Sequence, residues 1–274
     1  MKPKVTAFGL AALLALLAGC HSAEDLNRQG YEKASQGELD DALALYQQAL
    51  EKDPGLVAAH NNLGAVYLQK GELELAEAEF EQALGLEPDR SETLSNLGML
   101  LLRKEDYRGA ETRFQEALLY NSRNASAYNG LGQIAFHEKK FDEAVENFQI
   151  ALNLNRNAPA VISNLAAALS EKHEYDKALN VYLRLLKMQP NNGQALLNAA
   201  SCAVLVQNYD LARQLIKRGR KQNVPGIESI AQLLPTYKPL PLETPGTSTQ
   251  AGTKAAPAEP APAPATPAET PAPH

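Results

Sequence analysis

The sequence predicts an all-α fold: a right-handed α-α superhelix of about six helix hairpins, followed by a short C-terminal capping helix. Three interleaved sets of residues carry the prediction. Ala42, Ala76, Ala110, Ala144, Ala178 and Ala212 recur every 34 residues. Tyr46, Phe80, Phe114, Phe148, Tyr182 and Ile216 follow four places behind, and Gly30, Gly64, Gly98, Gly132, Ala166 and Ala200 stand twelve places ahead. A fixed period of this length means one supersecondary unit repeated in a row. The copies occupy 23–56, 57–90, 91–124, 125–158, 159–192 and 193–226.

Ahead of the repeats, Lys2 and Lys4 precede an apolar run from Val5 to Ala18. That run is shorter than the roughly 20 residues of a bilayer-spanning helix and reads as an export signal over residues 1–19. It closes on Leu17-Ala18-Gly19-Cys20, which resembles the processing box of bacterial lipoproteins. The resemblance implies cleavage before Cys20, acylation of that cysteine, and a lipidated N-terminus over residues 20–22. His21 stands where an aspartate would signal inner-membrane retention, so the resemblance implies an outer-membrane anchor facing the periplasm. Three acyl chains, at about 0.8 kcal/mol per buried methylene, would make the attachment effectively permanent.

Within each copy, an alanine and a ring four places apart share one helical face, while the small residue twelve places earlier lies on a separate helix. A polar break such as Lys70-Gly71-Glu72 separates the two. Each copy is therefore a helix hairpin. The facing small residues are expected to let its two helices approach, with the ring directed toward the neighbouring hairpin. One hairpin cannot bury that ring alone, so stability is roughly a sum of unit and interface terms along the array.

Copy two shows the unit best in Leu63-Gly64, Tyr67, Gly71, Ala76, Phe80, Ala83 and Pro88. This pattern resembles the tetratricopeptide repeat (TPR). Copies one and five keep the closing proline as Pro54 and Pro190, whereas copies three and four have Ser122 and Arg156 there. Copy six is the loosest, with Ala200, Ile216 and Gly219 in place of the usual Gly, aromatic and Ala. A loose terminal copy is usual in repeat arrays.

A capping helix is expected over 227–234, covering the last hairpin. From Pro235 to His274 the chain holds eleven of its seventeen prolines, and from Ala255 onward it has no large apolar residue. The segment 235–274 reads as an extended, disordered tail that cannot build a core.

The formal net charge is -6, or -8 once Lys2 and Lys4 are removed, so no overall basic field favours nucleic acid. With Cys20 acylated, Cys202 has no partner for a disulfide and reads as a small buried hydrophobe. Gly130-Leu131-Gly132-Gln133-Ile134-Ala135 fits a dinucleotide fingerprint, but it falls inside a helix with no strand before it. His60, His137 and His173 occupy unlike repeat positions, so no metal site is expected. Asn124-Ala125-Ser126 matches the glycosylation triplet and is placed in a turn. No nucleophile, base and orienting acid assemble. The chain reads as a non-enzyme without cofactor or small-molecule substrate.

What remains is recognition of a protein segment. The TPR resemblance implies a concave channel lined by residues 2, 5, 6, 9, 12 and 13 of each copy. Copies two to five then contribute Asn61, Asn62, Leu68, Gln69, Asn96, Met99, Leu102, Arg103, Asn129, Gln133, Phe136, His137 and Asn164. Spaced carboxamides can pair with the N–H and C=O groups of an extended segment, and the apolar members supply side-chain pockets. Asn62, Asn96, Asn164 and Asn198 recur at position 6, with Arg28 and Gly130 breaking the series. An asparagine there also serves the fold in this family, so both roles stay open. Position 5 lacks the lysines with which chaperone-binding members clamp a C-terminal carboxylate. A lipid-anchored array of six such repeats resembles the outer-membrane lipoproteins that help type IV or Flp pilus secretins assemble. The alternative is a general envelope adaptor that tethers cell-wall enzymes or proteases.

Overall fold

The computed structural model of the chain describes residues 21–235. The expected signal peptide, the lipidation site Cys20 and the tail beyond Pro235 lie outside the described residues. Thirteen helices and no strands make up the described part. Copy one folds as α1 (Ala23–Ser35) and α2 (Leu39–Lys52), copy two as α3 (Val57–Lys70) and α4 (Leu73–Leu86). Copy three is α5 (Ser91–Arg103) and α6 (Tyr107–Tyr120), copy four α7 (Ala125–His137) and α8 (Phe141–Leu154). Copy five is α9 (Pro159–Glu171) and α10 (Tyr175–Met188), copy six α11 (Gly193–Leu205) and α12 (Tyr209–Lys221), and α13 (Ile227–Ala231) follows. The all-α superhelical class holds.

The boundaries have local causes. Side-chain oxygens of Ser22, Asp106, Asn124, Asn192 and Asn208 accept from backbone N–H groups of the first turn, closing donors that a helix start leaves open. Pro159 opens α9, where its missing N–H costs nothing. The first helix of every hairpin stops at the same repeat position in a left-handed turn. Gly37 and Gly71 adopt it with φ of 83° and 82°, while Glu105, Lys139, His173 and Gln207 adopt it at φ between 58° and 62°.

The ring has two contacts. It packs toward the next hairpin, as Phe80 does with Leu97 and Leu100, and it also lies across the glycine of its own. A Cβ on Gly30 would stand 2.6 Å from the Tyr46 ring, and one on Gly132 would stand 2.6 Å from the Phe148 ring. Gly64 with Phe80 and Gly98 with Phe114 repeat the arrangement at 2.7 and 2.6 Å. A flat ring needs a flat seat, and glycine supplies it. Copies five and six bury Ala166 and Ala200 in that place instead.

The core divides one copy earlier. From Ala135 to Ile227 one continuous apolar cluster runs through copies four, five and six. Ahead of it the buried residues separate into smaller groups, such as that of Ala76, Phe80, Leu97 and Leu100. Polar contacts cross the seams there. Asn124 Nδ2 donates to the carbonyl and hydroxyl of Ser91 at 3.0 and 2.8 Å and to Ser95 Oγ at 3.2 Å, all buried. In copies five and six, arginines bind across the outer seam: Arg184 donates to the Arg156 carbonyl and Arg218 to the Pro190 carbonyl.

The cap is shorter than the expected 227–234. Helix α13 has five residues and begins after Gly226 at φ 79°. Beyond Ala231 the backbone continues in turn-type bonds, Leu233 N–H to the Ile230 carbonyl and Leu234 N–H to the Ala231 carbonyl. The covering role is real nonetheless: Ile227 is buried against Gly219, whose added Cβ would meet Ile227 Cγ1 at 2.7 Å.

Candidate protein-binding groove

The first helices of the hairpins, α3, α5, α7 and α9, carry the groove residues expected from sequence. The structure connects the amides to one another. Asn62 Nδ2 donates to Asn27 Oδ1 at 3.0 Å, Asn96 Nδ2 to Asn61 Oδ1 at 2.9 Å, and Asn164 Nδ2 to Asn129 Oδ1 at 3.1 Å. Each step joins position 6 of one copy to position 5 of the copy before, forming a ladder along the array. Asn61 is buried, while Asn62, Asn96, Asn129 and Asn164 are half-buried. The amides therefore hold neighbouring hairpins in register, and their remaining hydrogen-bonding capacity faces outward.

The ladder breaks twice, each time for a visible reason. At Gly130 a Cβ would lie 2.1 Å from the Phe114 ring, so no amide fits between copies three and four. Ser95, the position-5 residue there, is buried and bonded to Asn124. Between copies five and six, Asn198 Nδ2 turns to the Tyr182 hydroxyl at 3.0 Å. Burial pushes the Tyr182 phenol up from its ordinary range, against the opposing pull of Asn198 and Ser170.

The apolar and terminal members divide similarly. Met99 and Leu102 are half-buried against the cluster of Leu94 and Phe114, and Leu68 against that of Phe80 and Leu97. Gln133 Nε2 reaches Met99 Sδ at 4.0 Å. Gln69, Arg103 and His137 are exposed near the ends of their helices. Arg103 donates to the Leu68 carbonyl at 2.8 Å, and His137 stacks on Tyr107 with centroids 4.0 Å apart.

A pocket of about 230 Å³ opens between copies four and five, lined by Gln133, Phe136, Phe148, Asn164 and Ala167. Two of these were missed from sequence. Phe148 reads as a core ring, and Ala167 has no chemistry of its own. The available signal was size: position 9 holds Met99 and Gln133 in the preceding copies but alanine in copy five, which uncovers the edge of Phe148. A second cleft of about 340 Å³ next to it includes Ser170, Glu171, Tyr182, Asn198 and Cys202. Cys202 is buried with Sγ 3.6 Å from Ser170 Oγ, and burial raises its thiol pKa, so it sits as a packed hydrophobe. Asn124 of the glycosylation triplet directly follows a turn as the cap of α7, and it is buried with its amide fully engaged.

These features define a TPR solenoid whose concave face combines pockets with outward-facing amides. The chain belongs to the family described as the cilia and flagella-associated protein 70 C-terminal domain, whose model matches residues 6–232. Among solved structures it is similar to Pseudomonas aeruginosa pilF, studied in a functional characterization, with 26% identity and a TM-score of 0.64 over 77% of this chain and 95% of that one. It also resembles the APC/C hetero-tetramer Cut9–Hcn1 at 18% identity and TM-score 0.69, over 77% of this chain and 42% of the other. YrrB, a TPR protein with an unusual peptide-binding site, matches at 21% identity and TM-score 0.53 over 69% and 98%. No curated protein matches the chain. No catalytic family is indicated, and the shared property is a TPR-type scaffold for protein–protein interaction.

Proposed function

We propose that this chain is a lipid-anchored periplasmic scaffold of the outer membrane that captures a protein segment in its groove and aids assembly of a pilus or secretion secretin. The likeness to pilF carries the reading: it spans 95% of that chain at 26% identity. The lipoprotein-like Leu17-Ala18-Gly19-Cys20 supplies the anchor.

The groove suits an extended segment for a chemical reason. The ladder consumes one N–H of each donating amide and leaves Oδ1 of Asn96 and Asn164 without a partner among the described residues. These oxygens can accept backbone N–H groups of an added segment, while the pocket beside Phe136 takes an apolar side chain. Lipid attachment then holds the captured segment at the membrane where multimers must form.

The test is secretin multimer formation in cells lacking this chain, complemented by the wild type, by Cys20→Ser or by Met99→Lys with Leu102→Glu. Multimers are expected in the outer membrane only with the wild type, and Cys20→Ser is expected to leave the membrane fraction. Normal multimers in the deletion strain would refute the secretin reading. A Cys20→Ser chain that still fractionates with outer membrane would refute the anchor.

A further inference from the structure

The formal charge of -6 averages over an array whose two ends differ in sign. Copies one and two, residues 23–90, carry fifteen acidic and five basic residues, a net of -10. Copies five and six, residues 159–226, carry four acidic and nine basic residues, a net of +5. Two outer helices concentrate the contrast. Helix α4 holds Glu74, Glu77, Glu79 and Glu81 with no lysine or arginine. Helix α12 holds Arg213, Lys217, Arg218, Arg220 and Lys221 against Asp210 alone.

The basic end is also shaped. A cleft of about 370 Å³ lies between α10 and α12, with Leu183 and Leu186 as apolar lining and Arg184, Lys187 and Arg218 around them. Lys187, Lys217 and Lys221 are exposed and form no ion pair among the described residues. At the acidic end, Glu74 and Glu81 are exposed on α4, and Leu75 beside them is 49% exposed. Lys104 already pairs with Glu77 and His60 with Glu79, and Arg220 pairs with Glu228. The excess charge that remains is opposite at the two ends, Glu74 and Glu81 at one and Lys187, Lys217 and Lys221 at the other, and each lies beside apolar surface.

We propose that the face formed by α10 and α12 docks α4 of a second copy of this chain. The two faces belong to copy two and to copies five and six of one continuous stack, with copies three and four between them, so each finds its complement on another molecule. Such a contact is heterologous, head to tail, and extends into a chain or ring of copies rather than closing as a two-fold dimer. Opposite charge guides the approach, and burial of Leu75 beside Leu183 adds an apolar contribution. This surface is independent of the concave groove, which stays open to a partner.

The experiment places a photocrosslinking residue at Gln214, exposed on α12, in the full chain within the cell that makes it. The expected product is two copies joined, with the adduct mapping to residues 74–81. Lys217→Glu with Lys221→Glu is expected to lower its yield at least tenfold, and adding Glu74→Lys with Glu81→Lys to the same chain to restore it. No adduct, an adduct only with another protein or with lipid, or a loss that the charge exchange does not reverse would overturn the proposal.

Discussion

Copies one to four and copies five and six solve one packing problem in two ways. In the first group a ring lies on a bare glycine, the two helices of a hairpin close tightly, and polar ladders bridge the seams between hairpins. In the second group alanine takes the glycine's place, and the closeness moves to the seams, where apolar side chains merge into one cluster tied by Arg184 and Arg218. Hairpins whose cores are shared only pairwise sit beside hairpins that share one long core. In a quasi-one-dimensional array that difference sets how far a local lesion spreads.

The largest expected effect tests that spread. Phe80→Ala and Phe148→Ala each remove a ring that is at most 1% exposed, at a cost of about 3 to 5 kcal/mol. Hydrogen exchange is expected to separate them. Phe148→Ala lowers protection across copies four, five and six together, whereas Phe80→Ala lowers it in copies two and three alone. An equally wide loss in both would break the comparison.

Alkaline pH probes the rings that carry a hydroxyl. Burial pushes the Tyr46 phenol up to about 12. A phenol ionises near 10 in the unfolded chain, so the stabilisation is complete below pH 10 and is lost as pH rises toward 12. The loss reaches roughly 2 to 3 kcal/mol. Tyr182 is raised by burial as well, but Asn198 hydrogen-bonds its hydroxyl and favours the ionised form. Denaturation midpoints between pH 9 and 12 are expected to flatten more with Tyr46→Phe than with Tyr182→Phe.

A reciprocal exchange sharpens the contrast at the seat itself. Gly132→Ala drives a Cβ to 2.6 Å from the Phe148 ring and is expected to cost about 1 to 3 kcal/mol. Ala166→Gly removes a fully buried methyl from a helix and is expected to cost roughly 1 to 2 kcal/mol. Losses at equivalent positions from opposite substitutions would show that each half is fitted to its own residue. A neutral Gly132→Ala would mean the ring has room to slide.

The sequence alone was enough for the hairpins, their register and their number, because alanine and a ring four places apart can share only one helical face. Most of the detail that decides the site was not. The ladder joins Asn62 to Asn27 and Asn164 to Asn129, pairs 35 residues apart rather than 34, because position 6 of one copy meets position 5 of the copy before. A period of 34 aligns like positions and does not show which unlike positions meet across a seam. The ring's second contact was hidden too: period places Phe148 on a face toward the next hairpin but does not say that Gly132 lies across it. Ala167 was invisible because its contribution to the pocket is the volume it leaves empty.

The smallest expected effect is a control on which the two halves agree. At the turn after each first helix, Gly37 and Gly71 adopt positive φ with no atom within 4 Å of an added Cβ, while Lys139 and Gln207 hold the same turn at φ 61° and 58°. A side chain in the left-handed region costs about 1 to 2 kcal/mol. Glycine loses roughly 0.5 to 1 kcal/mol more chain entropy on folding, which offsets part of that relief. Lys139→Gly and Gln207→Gly are therefore each expected to raise stability by about 0.5 to 1 kcal/mol, measured by denaturant unfolding. The turn lies outside both the ring seat and the shared core, so equal gains locate the difference between the halves in those contacts. A gain in one half alone would mean that the hairpins differ in their turns as well, and that the seat is a consequence of hairpin geometry rather than its cause.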